Sequence, residues 1–259
     1  MESNMYLQTI LNKYAARSLN SHLLQIAQLK TDLRQWALGC YLDILDSGSR
    51  AKGTAISIAS DVDYLISLSS NCHENNGGLK AIYESLHSFL KSKFIPVRKQ
   101  NVSFRINLNG LEVDITPARK QSGNTNDHWL HLSKLNTRRQ TNIQKHISDI
   151  STSGRRNEIK ILKVWRELNG LDFPSIYLEY LVLSILSGRS KDATSLADNV
   201  LYVINELKKE TGNPLFSRIV DPAHTGNILS ELLTATEKSS IISRAKISAQ
   251  ANDCGQIVY

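Results

Sequence analysis

The chain has 259 residues, 41% of them apolar and 21% charged, and its 31 Lys and Arg outnumber 24 Asp and Glu for a formal charge of +7. This composition suits one large or two small globular domains, with disorder expected only at the ends. The most apolar stretch, Tyr177 to Leu186, is too short to cross a membrane and carries Glu179, and the N-terminus has neither the basic leader nor the apolar core of a secretion signal. Cys40, Cys72 and Cys254 lack the spacing of a zinc site or a disulfide framework, so free thiols in a cytoplasmic protein are expected.

From Tyr6 to Trp36, apolar residues recur at helical spacing and predict one long or broken helix, with His22 on its surface. Tyr41-Leu-Asp-Ile-Leu45 then reads as a strand. It ends in Gly48-Ser49, a turn whose backbone N–H groups can accept a phosphate at a short helix start. The next strand alternates with period two. Asp61, Asp63 and Leu65 share one face, and Val62, Tyr64, Ile66 and Leu68 share the other, so two carboxylates stand about 6–7 Å apart along the strand. Such a pair suits hard divalent cations. A polar loop over 71–78 leads into a helix over 79–90; Cys72, His73 and Glu74 lie too close in sequence to chelate one ion well. Val102 to Thr116 is a hairpin around Asn109-Gly110. Pairing Leu108 with Leu111 sets Phe104, Ile106, Val113 and Ile115 inward and places Asp114 opposite Arg105 on the polar face, a third acid that can converge on Asp61 and Asp63.

A turn-rich loop is expected from Thr116 to Asp127, a hinge over 148–154, and a helix over 155–168 on which Lys163 can pair with Glu167 at i+4. His128, His131 and His146 read as structural. Pro174 and Ser175 open an almost entirely apolar helix to Leu186, with Ser175 a candidate N-cap, and further helices are expected over 193–209 and 228–251.

Gly-Ser, Lys-Gly-Thr, Ser-Asp-Val-Asp and Glu-Val-Asp-Ile-Thr-Pro, in this order and spacing, resemble the DNA-polymerase-β-like nucleotidyltransferases, nearest the branch of oligoadenylate synthases, cGAS-like enzymes and bacterial CD-NTases. Ile159 to Arg166, followed by Phe173 to Glu179, resembles that family's second lobe. The resemblance runs from about Tyr41 to about Asn227. Ile143 stands where the family usually has a proline before His146, which weakens any assignment of a base pocket.

The resemblance implies an α+β fold: a nucleotidyltransferase lobe with a mixed sheet over 1–150, a helical lobe over 151–259, and a leading helix bracing both, with the NTP in the cleft between lobes. It implies two Mg²⁺ (or Mn²⁺) ions held by Asp61, Asp63 and Asp114, phosphate contacts from Gly48 and Ser49, and triphosphate contacts from Lys163 and Ser175. The implied product is a cyclic oligonucleotide second messenger of bacterial anti-phage signalling, with a downstream effector and an ancillary protein as partners. Nucleic acid as an activator agrees with the charge, but no zinc or stacking motif accompanies the basic residues. The alternatives are a transferase that adds nucleotides to tRNA or protein and a non-catalytic nucleotide sensor. A polymer or tRNA-end transferase is expected to need an RNA-anchoring domain, for which little chain remains.

Overall fold

A computed structural model describes residues 2–59, 61–123 and 125–259. Ser60, which opens the acidic motif, and Asn124, inside the expected 116–127 loop, lie outside them. The chain forms two units, Met1–Arg17 with Gly53–Ser60 and Ser148–Tyr259, and Ser18–Lys52 with Asp61–Ile147. This differs from consecutive lobes of 1–150 and 151–259. Leu7, Ile10 and Ile56 are the reason: all three are buried in the core of the helical unit.

The expected leading helix is accordingly two helices, α1 (Glu2–Lys13) in the helical unit and α2 (Leu23–Trp36) in the sheet unit. Between them the backbone leaves helical geometry, and Ala15 forms an isolated bridge to Ile56.

The sheet unit continues through β1 (Tyr41–Ser47), α3 (Gly48–Ala51), β2 (Val62–Leu68), α4 (Gly78–Lys93), β3 (Arg98–Lys99), β4 (Phe104–Leu108), β5 (Leu111–Lys120), β6 (His128–Leu132) and β7 (Thr137–Thr141). Among the described residues the sheet runs β1-β2-β5-β4-β3, with β6 joining β5 to β7. It is mixed. β2 and β5 are parallel and the other pairs antiparallel. Alternation decides its faces: Val62, Tyr64, Ile66 and Leu68 meet Phe104, Ile106, Val113 and Ile115 in one core, closed by Leu29 and Leu33 of α2 and Ile82, Leu86 and Leu90 of α4. The opposite face carries the acids.

The hairpin forms in the expected register, Leu108 opposite Leu111 and Arg105 opposite Asp114. Asn109 and Gly110 both take positive φ (51° and 92°), the requirement of a type I′ turn. The expected loop from Thr116 is instead strand as far as Lys120. Pro117 is tolerated there because, among the described residues, β5 has no antiparallel partner between Ile115, which pairs with β4, and Arg119, which pairs with β6.

A short helix, α5 (Ile143–Ser151), begins where Asn142 Oδ1 accepts the Lys145 backbone N–H at 3.0 Å. The helical unit then comprises α6 (Arg156–Leu168), α7 (Ser175–Ile185), α8 (Leu196–Leu207) and α9 (Ala235–Ser248). Trp165, Tyr177, Leu181, Val200 and Ile204 fill its core. The expected helix over 228–251 is broken: Leu229–Leu232 is a 3₁₀ turn, and α9 starts only after Thr234, whose side chain and that of Glu237 form a reciprocal capping box.

Cys40 and Cys72 are joined as a disulfide, against the expectation of free thiols, which holds for the buried Cys254. Pairing of Tyr41 with Leu68 brings the start of β1 to the end of β2, so residues 32 apart in sequence become neighbours. Thiol titration of the denatured, unreduced chain should count one reactive thiol, rising to three after reduction.

Candidate active site

The acids are assembled by strand register. Parallel pairing sets Asp63 beside Asp114, and antiparallel pairing on either side adds Ser47 and Arg105, so Ser47, Asp63, Asp114 and Arg105 form one row across four strands. Asp61 and Glu112 lie one alternation earlier on the same face. Gly48, directly after β1, abuts this row. A methyl group added to it would lie 1.9 Å from Asp63 Oδ2, and its φ is +64°, so only glycine fits. Ser49 follows in α3, and a cavity of about 240 Å³ lined by Asp46, Ser47, Arg50, Asp63 and Tyr64 lies beside it.

Arg105 ties the acids together. Its Nε and Nη2 donate to the two Asp114 oxygens, each at 2.8 Å, Nη2 also donates to Asp61, and Nη1 donates to Glu112 at 3.0 Å. Asp114 accepts a further bond from Gln100 Nε2 at 3.0 Å. Burial first, then the charges of Asp114 and Asp61, push the Asp63 carboxyl up to about 7, with Lys52 and Arg105 opposing. Asp61 is also raised, by burial first, against the pull of Arg105.

In the sequence Arg105 stands out only by its place opposite Asp114, and Lys52 and Glu112 only as members of motifs. The signals were present. Glu112 precedes Asp114 by two residues and so shares its face, and Lys52 is the lysine of Lys-Gly-Thr.

The all-oxygen donors, the excess of negative charge and the side-chain-free approach at Gly48 fit a hard divalent cation. In the arrangement described, Arg105 Nη2 joins Asp61 to Asp114, and among the described residues no three metal-binding side chains are gathered around one point.

Lys163 and Ser175 belong to the helical unit. Lys163 is 2% exposed, and its Nζ donates to Glu179 Oε1 at 2.7 Å and Thr54 Oγ1 at 3.0 Å, while the Thr54 hydroxyl donates to the same Glu179 oxygen at 2.8 Å. The i+4 partner expected for it, Glu167, instead holds Arg166. Pro174 occupies the N-cap of α7, and Ser175 is its first helical residue, accepting from Arg166 Nη1 at 3.1 Å.

Two of the histidines expected to be structural pack inside the sheet unit. His128 is buried between the Ser67 hydroxyl and the Asn126 carbonyl and His131 packs on Tyr83; burial lowers the pKa of both. Among the basic residues, Arg155 is spent inside the fold on Glu158 and the Leu186 and Ser190 carbonyls. Arg138 stacks on Trp129, 4.4 Å from the ring centre, an aromatic pairing that sequence spacing had hidden.

Compared by sequence, the chain matches no family model and no curated protein. Compared by structure, it is similar to E. coli MS115-1 CdnC in complex with HORMA-deltaN, at a TM-score of 0.71 and 19% identity over 95% of this chain and 89% of that one. Elizabethkingia meningoseptica CdnE, a cyclic dinucleotide synthase with GTP and Apcpp, gives 0.63 at 14% identity over 93% and 96%.

This is the fold of the CD-NTase-like nucleotidyltransferases.

The same polymerase-β-like nucleotidyltransferase fold extends to the Cid1 poly(U) polymerase, with a TM-score of 0.66 at 11% identity over 96% of this chain and 94% of that one. The chain therefore matches almost the whole length of that polymerase chain as well.

Proposed function

We propose that the protein is a metal-dependent nucleotidyltransferase that joins NTPs into a cyclic oligonucleotide second messenger, in the cytoplasm of a bacterium and in anti-phage signalling. The register of β2 and β5, which seats Asp63 beside Asp114 against Gly48, carries this reading. Asp61 and Asp63 would hold two Mg²⁺ or Mn²⁺ ions, with Asp114 completing the site. Such ions, when bound, stabilise charge on the attacking and leaving oxygens of an in-line phosphoryl displacement. The protein's part is to hold the acids in one row, to admit phosphate oxygens at Gly48 and Ser49 without a side chain in the way, and to let Asp114 accept a proton from the attacking 3′-hydroxyl. Ser175, partly exposed at the start of α7, would contact the triphosphate. A phosphate contact by Lys163 requires its pair with Glu179 to open.

Several observations support the partners. CdnE carries GTP and Apcpp and CdnC a HORMA partner, which supports NTP substrates and an ancillary protein for this chain, and the proposal adds an effector that senses the product. No helix of the described residues is long and apolar enough to cross a membrane.

The second reading, nucleotide addition to RNA ends, is favoured by the coverage of Cid1. Incubation with four labelled NTPs and Mg²⁺ or Mn²⁺, with and without RNA, separates the two. Template-free, phosphatase-resistant cyclic products seen by mass spectrometry are expected. RNA-dependent incorporation into acid-insoluble polymer would transfer the proposal to RNA ends, and label on protein to protein nucleotidylation.

A further inference from the structure

Four carboxylates, Asp61, Asp63, Glu112 and Asp114, surround the guanidinium of Arg105 and the charge of Lys52, a formal excess of two negative charges. Arg105 comes from β4, opposite Asp114, and reaches back across β5 to Asp61. Its atoms divide the work unequally. Nε is committed to Asp114 Oδ1 and Nη1 to Glu112, whereas Nη2 alone bridges Asp61 Oδ2 and Asp114 Oδ2. Both carboxylates are among those that the proposed function assigns to metal, and a lone pair engaged by an N–H is not available to a cation.

We infer that Arg105 is the resident counter-ion of the acid row and that a divalent cation binds by exchange with it. Asp61 and Asp114 would hold the cation once Nη2 withdraws, while Nη1 keeps Glu112. Glu112 suits that role, because its side chain is 51% exposed where Asp114 is 14% exposed, so it can follow the guanidinium toward solvent. The exchange does two things. It keeps the carboxylates from repelling one another before the metal arrives, and it sets the metal affinity below what the bare acids would give, since each binding event displaces a charge-assisted hydrogen bond. Arg105 is thus a positioning residue, acting through Asp61 and Asp114. A lysine there would keep the charge but lose the fork that holds Asp114 at both oxygens.

The inference rests on the metal reading of the acid row, and one experiment separates the two. Free Mn²⁺ is counted by its electron spin resonance signal during titration into the full-length wild type, Asp63→Asn, Arg105→Gln and Arg105→Lys proteins. Mn²⁺ is expected to bind Arg105→Gln about tenfold or more tighter than wild type, and Arg105→Lys, which retains the positive charge, several-fold tighter. In chelator, Arg105→Gln should unfold at a lower temperature than wild type and should recover more on adding Mn²⁺. Equal or weaker Mn²⁺ binding by both Arg105 variants, with wild type binding and Asp63→Asn not, overturns the role of Arg105 alone. Failure of wild type to bind Mn²⁺ overturns it together with the metal site.

Discussion

Asp63→Asn is expected to abolish nucleotide turnover and, in chelator at pH 8, to raise the stability of the protein. The two effects share one cause. The Asp63 carboxyl lies half-buried between Asp114 and Asp61, and its pKa is pushed from 3.8 up to about 7, by burial first and by those two acids next. A carboxyl whose folded pKa exceeds its unfolded value favours folding when neutral. That contribution is fully present below about 3.8, is lost as pH rises through about 7, and is absent at pH 8, where the folded state holds an ionised group it disfavours. Asparagine is neutral at every pH, so the variant escapes a penalty on the order of a few kcal/mol at most. Its advantage over wild type should shrink from pH 8 toward pH 4 in chelator, as followed by thermal unfolding, and should shrink with Mg²⁺ or Mn²⁺ at pH 8. Turnover goes the other way. Loss of the metal ligand proposed at Asp63 should lower it at least about 10²–10³-fold, the scale on which single electrostatic contacts to a transition state are felt. A variant that retains turnover, or that is less stable than wild type at pH 8 in chelator, would show that Asp63 does not carry this strain.

The acid row was legible in the sequence because strands are periodic. Alternation put Asp61 and Asp63 on one face, and Asn109-Gly110 fixed the hairpin register that faces Arg105 with Asp114. What sequence spacing does not encode is which strand of another pair lies alongside. The parallel match of Asp63 to Asp114 is a long-range contact across α4, and the β6–β7 pairing behind Trp129 and Arg138 is likewise tertiary. The Cys40–Cys72 bond escaped for the same reason, since only the β1–β2 register makes those residues neighbours. The break before α9 was missed differently. Its capping residues, Thr234 and Glu237, are plain in the sequence, but continuous apolar spacing on either side concealed them. The i+4 pairing of Lys163 with Glu167 does not form because α6 is buried over a wide arc that includes Lys163.

Lys163→Ala should therefore destabilise the protein far more than it weakens any nucleotide contact. The ammonium and the Glu179 carboxylate are 2% and 0% exposed and 2.7 Å apart, with the Thr54 hydroxyl bonded to both. Removing the cation leaves a buried carboxylate without its charged partner, a change on the order of 3–5 kcal/mol, against about 1–3 kcal/mol for losing a charge-assisted hydrogen bond to an exposed phosphate. Thermal unfolding of the variant without nucleotide should show the whole loss, so it cannot be an effect on binding. Replacing both partners, Lys163→Met with Glu179→Leu, separates the roles further. If the pair is structural, the double variant should recover most of the stability lost in Lys163→Ala, because an apolar pair of similar volume avoids the desolvation of both charges. Calorimetry of NTP binding to that refolded double variant then isolates the triphosphate role. Affinity equal to wild type would assign Lys163 to the fold alone, whereas a tenfold or greater loss in a stable double variant would show that the Glu179 pair opens and lends its lysine to the nucleotide.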